Sequence, residues 1–286
     1  MLDMMHVPIR TRATDHARTT WRRCGGLAAL LFGIPVLPLV SQQPAVLARP
    51  TPFSIDVDLF HHRLDNGYSP WSGGGLRLAY AGTRASPFAT VTRQHRREGS
   101  QDNYGLGSYL ILNRAMYAIA GFSVATGGTA VLYPRLRWDV SLMTDTRVVP
   151  GLVIATGFTR VSFGADATGT IASLGPIYYR GPLILSGVVR LNRDDVGGAT
   201  TASGEFGGQY GAEGRSWIGA SISGGREAYQ VVSATPFDVA FTNVGASAFY
   251  QRWLTERTAI TGRVEYQHKL EAYRRRGLAL SYRVAF

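Results

Sequence analysis

Four histidines follow residue 50: His61, His62, His95 and His268. Neutral imidazoles are good ligands for zinc and other transition metals. Adjacent residues on a strand point to opposite faces, however, so His61 and His62 cannot both turn into one site. No neighbouring His/Asp/Glu cluster completes a ligand set. The pair is read as part of a solvated loop, and no metal is expected. Nucleophilic catalysis needs a serine or cysteine within hydrogen-bond reach of an oriented base. The only cysteine is Cys24, and no His-x-Ser pair occurs. His268 and Ser281 meet only if the last hairpin adopts one particular register. Enzymatic activity is therefore not expected, and a lipid-modifying enzyme is the third-ranked reading. Gly73-Gly74-Gly75 and Gly105-Leu106-Gly107 do not sit between a buried parallel strand and a helix, as a phosphate-binding loop requires. Asp65-Asn66 and Asp194-Asp195 are explained by turn chemistry without calcium. No cofactor is expected.

The more informative residues are charges that alternate with apolar side chains. Asp56, Asp58, Arg77, Arg135, Arg137, Asp139, Arg190, Glu205, Arg226, Glu227, Arg263, Glu265 and Arg283 fall at the polar positions of period-two segments. The last segment has the clearest pattern. Leu278, Leu280, Tyr282, Val284 and Phe286 share one face, and Gly277, Ala279, Ser281, Arg283 and Ala285 share the other. A soluble sandwich would carry more charge on its polar face. Here that face is rich in Gly, Ala and Ser, as a crowded lumen requires. Charged residues are 17% of the chain, below the ~25% usual for soluble domains, while glycine is abundant, at 34 residues. Together with the period-two segments, this points to an all-β fold, a transmembrane antiparallel up-and-down barrel.

The pattern predicts about 14 strands: 53–60, 74–81, 88–96, 104–112, 116–125, 134–143, 151–161, 170–179, 183–192, 201–210, 216–226, 242–252, 258–268 and 276–286. Counts of 12 or 16 remain compatible with it. Short connections alternate with longer ones, as expected when both termini are periplasmic. In lipid the backbone must satisfy its own hydrogen bonds, so a spanning sheet has to close. Tyr80, Tyr210, Trp217, Trp253 and Phe286 lie near the short turns and are expected in an interfacial aromatic girdle. A C-terminal aromatic, with Tyr282 and Phe286 on one face, also resembles the signal read by the outer-membrane barrel assembly machinery.

Residues 1–48 read as a secretory signal. Arg10, Arg12, Arg18, Arg22 and Arg23 precede an apolar run from Gly25 to Val40, and Ala48 ends a small-residue cleavage site. Residues 49–286 are then the barrel, exported to the outer membrane of a Gram-negative bacterium. The formal charge of +11 is spread over loops and lumen, so nucleic-acid binding is not expected.

Several strings resemble the YaiO family of outer-membrane proteins. Leu64-Asp65-Asn66-Gly67-Tyr68-Ser69-Pro70-Trp71 is similar to its first loop, and Tyr104-Gly105 follows Asp102-Asn103 in a similar way. Gly225-Arg226-Glu227-Ala228-Tyr229-Gln230, Arg252-Trp253 and Tyr273-Arg274-Arg275 resemble its later segments. The resemblance covers roughly 53–286. It implies an outer-membrane barrel associated with surface polysaccharide and supplies no catalytic residues.

Two functional readings follow from the inward charges. One is a polar passage that carries or supports export of material such as surface polysaccharide. The other is a structural or adhesion barrel whose lumen is closed by an Arg–carboxylate network. Expected partners are outer-membrane lipid and lipopolysaccharide, the assembly machinery and surface polysaccharide. Arg96, Arg97, Arg193, Arg274, Arg275 and Arg276 are expected on the outside, near lipopolysaccharide phosphates.

Overall fold

A computed structural model describes residues 52–126, 132–164, 167–195, 198, 200–227, 241–270 and 272–286. The signal assigned to residues 1–48 lies outside the described residues.

Fourteen strands form one closed barrel. In chain order they are β1 (Phe53–Leu64), β2 (Trp71–Tyr80), β3 (Ala85–Arg96), β4 (Gly99–Ile111), β5 (Met116–Thr126), β6 (Leu136–Asp145) and β7 (Leu152–Ser162). They continue as β8 (Thr168–Arg180), β9 (Leu183–Asp194), β10 (Thr200–Ala212), β11 (Ser216–Glu227), β12 (Phe241–Trp253), β13 (Thr258–Lys269) and β14 (Tyr273–Ala285). Each strand pairs antiparallel with the next, and β14 pairs with β1 from Ser54↔Ala285 to Leu64↔Arg275. No open edge is left, which is what lipid demands of a sheet. At the seam, Phe286 N–H donates to Phe53 O at 3.0 Å, and Phe53 N–H donates to Phe286 O at 3.2 Å.

The strands extend beyond the predicted ones mainly at the end away from the termini. Residues 61–64, 71–73, 99–103 and 273–275, all expected in loops, are strand. Between β3 and β4 only Arg97 and Glu98 remain as a turn. Most strands thus exceed the ~9–11 residues needed to span a bilayer, and their outer ends carry His, Arg, Gln and Asn. These polar ends lack the Leu/Val alternation that marks the lipid-facing stretch. Asn66 and Gly67 both adopt left-handed backbone, at φ 58° and 78°, the conformation for which Asn-Gly turns are selected. The Asn66 side-chain amide then donates to Ala272 O at 2.7 Å, tying the β1–β2 connection to the β13–β14 connection across the seam.

Alternation sets the two faces. Leu59, Leu106, Ile222, Val264 and Leu278 point outward and are exposed, while their neighbours turn into the barrel. Several inward positions pair an aromatic ring with a glycine directly opposite: Phe60↔Gly73, Phe88↔Gly107, Phe249↔Gly219 and His62↔Gly277. In each pair a Cβ on the glycine would collide with the ring. Glycine is the residue that leaves room for an inward ring to lie flat on the neighbouring strand.

Tyr80, Tyr210 and Phe286 are outward and exposed. Trp217 corrects the predicted girdle: it faces inward and is 1% exposed. Trp253 sits at an inward-parity position of β12, in line with Gln251 and Phe249, and is only partly exposed.

Candidate functional site: the lumen

The lumen has two zones. In the half nearest the termini, Ala79, Phe88, Tyr109, Ile119, Met143, Val153, Ala155, Ile177, Ile184 and Trp217 form one buried apolar cluster, with Tyr117, Tyr179 and Phe249 against it. All are inward positions on strands from β2 to β12. Met143, Ile177 and Trp217 are 0%, 0% and 1% exposed, so this cluster is an apolar septum. Arg77 borders it, its guanidinium 4.6 Å from the centroid of the Phe88 ring.

Beside the septum, the wall made by β13, β14, β1 and β2 is ionic. Arg283 donates to Asp56 through Nε at 2.5 Å and Nη2 at 3.2 Å, and Arg77 Nη1 lies 3.9 Å from the same carboxylate. Asp58 accepts from Ser281. Higher on this wall, Glu265 lies 3.6 Å from Arg263 and 3.5 Å from His62 Nε2. On other strands, Arg137 grips Asp139 with two bonds of 2.7 and 2.8 Å, and Thr159 donates to the same carboxylate. Arg190 Nη2 lies 3.3 Å from Glu205. Buried charges of this kind persist when they are paired and hydrogen-bonded.

Ten of the thirteen charges singled out in the sequence, Asp56, Asp58, Arg77, Arg137, Asp139, Arg190, Glu205, Arg263, Glu265 and Arg283, therefore lie on inward positions. Two do not fit. Arg135 precedes β6 and is exposed. Arg226 takes the outward parity of β11, opposite to Trp217 and Gly219, and is exposed. The side chain of Glu227 lies outside the described residues.

Above the septum is a cavity of about 130 Å3. Trp71 stands in its wall with two cations over its ring, Arg96 at 3.8 Å and Arg275 at 5.2 Å from the centroid. Such contacts hold guanidinium groups where desolvation would otherwise disfavour them. In the amide orientation that satisfies both sides, Gln94 accepts from Arg96 Nε at 3.0 Å and Nη2 at 3.1 Å. Tyr273 packs edge-on against Trp71 at 5.8 Å, and Lys269 also lines the space. The roof is Leu132-Tyr133-Pro134, buried in the connection before β6. Its Leu132 and Tyr133 N–H groups both donate to Gln101 Oε1, at 2.6 and 2.7 Å. Burial pushes the Tyr133 hydroxyl up to about 12, so it stays neutral.

Arg96 and Arg275, expected outside, and His62, expected in a solvated loop, are placed otherwise. All three face the lumen, at 4%, 5% and 1% exposure. The signal was available: Arg96 shares parity with Phe88 and Gln94, and Arg275 with Gly277 and Arg283. The polar strand ends obscure it, because neither face there has to be apolar. His268 and Ser281 do not meet. His268 is paired with Arg274, and Ser281 with Thr261. Among the described residues, no group of three or more His, Cys, Asp or Glu is arranged to hold a metal.

The YaiO membrane beta barrel domain matches residues 53–230, more than half of the chain. The chain belongs to the YaiO family. The match covers β1 to β11; the resembling strings of β12 to β14 lie beyond it. No curated protein matches the chain. Among solved structures, the CymD monoaromatic hydrocarbon channel aligns over 83% of this chain and 89% of its own, with a TM-score of 0.53 at 10% identity. Omp33, an outer membrane protein of Acinetobacter baumannii, aligns over 83% of this chain and all of its own, with a TM-score of 0.46 at 11% identity. This YaiO protein is an outer-membrane β-barrel of the Gram-negative type.

Proposed function

We propose that this YaiO protein passes polar material across the outer membrane through a lumen that is closed at rest. The observation that carries the proposal is the vestibule above the septum. It is a cavity sized for one small solute, with Arg96, Lys269 and Arg275 beside an aromatic wall. Its lining holds four cations, Arg96, Arg137, Lys269 and Arg275, against two carboxylates, Asp58 and Asp139, and this positive excess suits a polar, net-anionic solute. It does not suit a cargo of the kind named for CymD. Surface polysaccharide is the finer form of the proposal. A polymer would require both the septum and the Leu132–Pro134 roof to move aside. The reading is non-enzymatic, with export through the 1–48 signal and assembly through the C-terminal strand.

One observation favours the second reading, a closed structural or adhesion barrel. Asp56, Asp139, Glu205 and Glu265 each face an arginine, which is what a rigidifying network would do.

Planar-bilayer recording separates the two. The wild type should open rarely, and the Met143→Ala/Trp217→Ala variant should conduct in frequent steps that favour anions. Low-dielectric walls focus the field of fixed charges, so adding Arg96→Gln and Arg275→Gln should lower that preference. If the septum variant inserts and never conducts, the passage reading fails. If it conducts without ion preference, the vestibule does not control the path.

A further inference from the structure

We infer that the outer surface of the barrel seam binds the phosphate groups of an outer-leaflet lipid, the chemistry carried by lipopolysaccharide. The inference rests on outward residues and is independent of whether the lumen conducts.

Arg63 of β1 and Arg276 of β14 are direct cross-strand partners, both exposed and both on the outward parity. Directly opposed side chains have Cβ atoms roughly 5 Å apart, and like charges in that position are destabilising. One row further out, Arg274 opposes His268. Asp65, just beyond β1, accepts from the Arg274 backbone N–H at 2.6 Å. Two other outward arginines do have a carboxylate partner. Arg93 lies 3.8 Å from Asp102, and Arg160 lies 2.5 Å from Asp195. Arg63, Arg274 and Arg276 have no such ion pair among the described residues. A repulsive pair kept where a carboxylate would be easy to place is what an anion site from outside the chain requires.

Position identifies the anion. On the same face, Leu278 follows Arg276 by one outward step, and Leu59, Leu280 and Val57 continue the exposed apolar band. One such step is ~7 Å along a strand and roughly 5 Å along the normal of a tilted barrel. The arginine row therefore sits at headgroup depth, directly above the acyl region and on the side away from both termini. Arginine forks bind phosphate oxygens in bidentate fashion, and a phosphate between Arg63 and Arg276 turns their repulsion into attraction.

The full chain, folded in neutral detergent micelles and checked by heat-dependent gel migration, is titrated with diphosphoryl lipid A. Bound lipid per barrel is read by native mass spectrometry. A phosphate-free glycolipid of similar acylation and inorganic phosphate serve as separate probes. The wild type and a charge-matched periplasmic control, Arg180→Gln/Arg252→Gln, should bind lipid A equally. Arg63→Gln/Arg276→Gln should bind about tenfold more weakly or worse, with Arg276→Gln alone as the milder variant if the double one fails to fold. The phosphate-free lipid should not discriminate among them, and inorganic phosphate should not compete. Equal lipid A binding by all variants overturns the inference. So does an equal loss with the phosphate-free lipid. Competition by inorganic phosphate overturns the choice of a lipid as the natural source.

Discussion

Gly219 and Phe249 face each other across β11 and β12, and Phe249 also packs on the septum. An added Cβ at Gly219 would lie 2.7 Å from Phe249 Cζ, closer still to Cε1, and 3.0 Å from Gln209 Cβ. The two severe obstacles are ring atoms of one side chain, whereas Gln209 Cβ is held by its own backbone. Overpacking of this kind costs ~1–3 kcal/mol, so Gly219→Ala should destabilise the barrel by about that much. Phe249→Ala loses ring contacts, and a partly buried ring should cost less than the ~3–5 kcal/mol of a fully buried one. Once the ring is gone, only the 3.0 Å approach to Gln209 Cβ remains, and a shift of a few tenths of an ångström relieves it. The double variant should then be about as stable as Phe249→Ala alone, a favourable coupling of ~1–3 kcal/mol. Gly107 provides the contrast. Its added Cβ would meet Phe88 Cε2 at 2.9 Å but also Ala120 O at 2.9 Å, and backbone cannot step aside, so Phe88→Ala should relieve only part of the cost of Gly107→Ala. Urea unfolding in lipid vesicles, read by gel migration, measures each corner of both cycles. Additivity within about 0.5 kcal/mol at Gly219/Phe249 would refute the idea that the ring occupies the glycine's missing side chain.

Other perturbations have equally definite outcomes. Asp56→Ala leaves Arg77 and Arg283 facing each other without their shared carboxylate and should destabilise by ~3–5 kcal/mol in the same unfolding assay; a loss below about 1 kcal/mol would mean water already screens the cluster. Deleting Phe286 removes both hydrogen bonds and the stacked ring against Phe53, so the insertion yield at native expression should fall, as measured by outer-membrane fractionation. In the β10–β11 turn, burial raises the Glu213 carboxyl to about 7, against the opposing pull of Arg283. A carboxyl whose folded pKa lies above its unfolded value favours the folded state most at low pH. Stability should therefore decline as pH rises from about 4.5 to about 7, and Glu213→Gln should remove that part of the slope.

The wall of this barrel was legible in the sequence, and its contents were not. Leu278, Leu280 and Tyr282 alternate with Ala279, Ser281 and Arg283, and that rhythm gives strand, face and closure at once. Fourteen strands follow from it, as does the pairing of residues 276–286 with 53–60. The rhythm weakens once a strand leaves the lipid, because neither face then has to be apolar. His62, Arg96 and Arg275 were misplaced for that reason. Trp217 was misassigned by a different route: a tryptophan beside a turn fits an interface, yet its parity with Gly219 and Ser221 sends it inward. Arg226 shows the converse, a charge drawn inward by expectation although its own parity pointed out. Periodicity says which way a side chain points. It cannot say how side chains from a dozen strands meet at the centre, since that depends on packing across the barrel.

The closure proposed for the lumen determines what could open it. The backbone hydrogen bonds of fourteen strands fix the aperture, so among the described residues an opening has to come from side chains and the roof of the vestibule. Hydrating Met143, Ile177 and Trp217 exposes three buried apolar groups, at ~1.5–3 kcal/mol each. Roughly 5–9 kcal/mol in total corresponds to an open fraction between about one in five thousand and about one in four million. A barrel with those populations excludes casual diffusion. Passage at a useful rate then requires a ligand that favours the open state by several kcal/mol. A solute bound by Arg96, Lys269 and Arg275 can supply that only if those contacts strengthen as the septum parts. Arg77 is a physical route for such coupling. Its guanidinium touches the Phe88 face of the septum and the Asp56 cluster of the seam together, and Phe88 itself lines the vestibule. Displacing Phe88 toward the wall would therefore disturb septum and ionic wall in one movement.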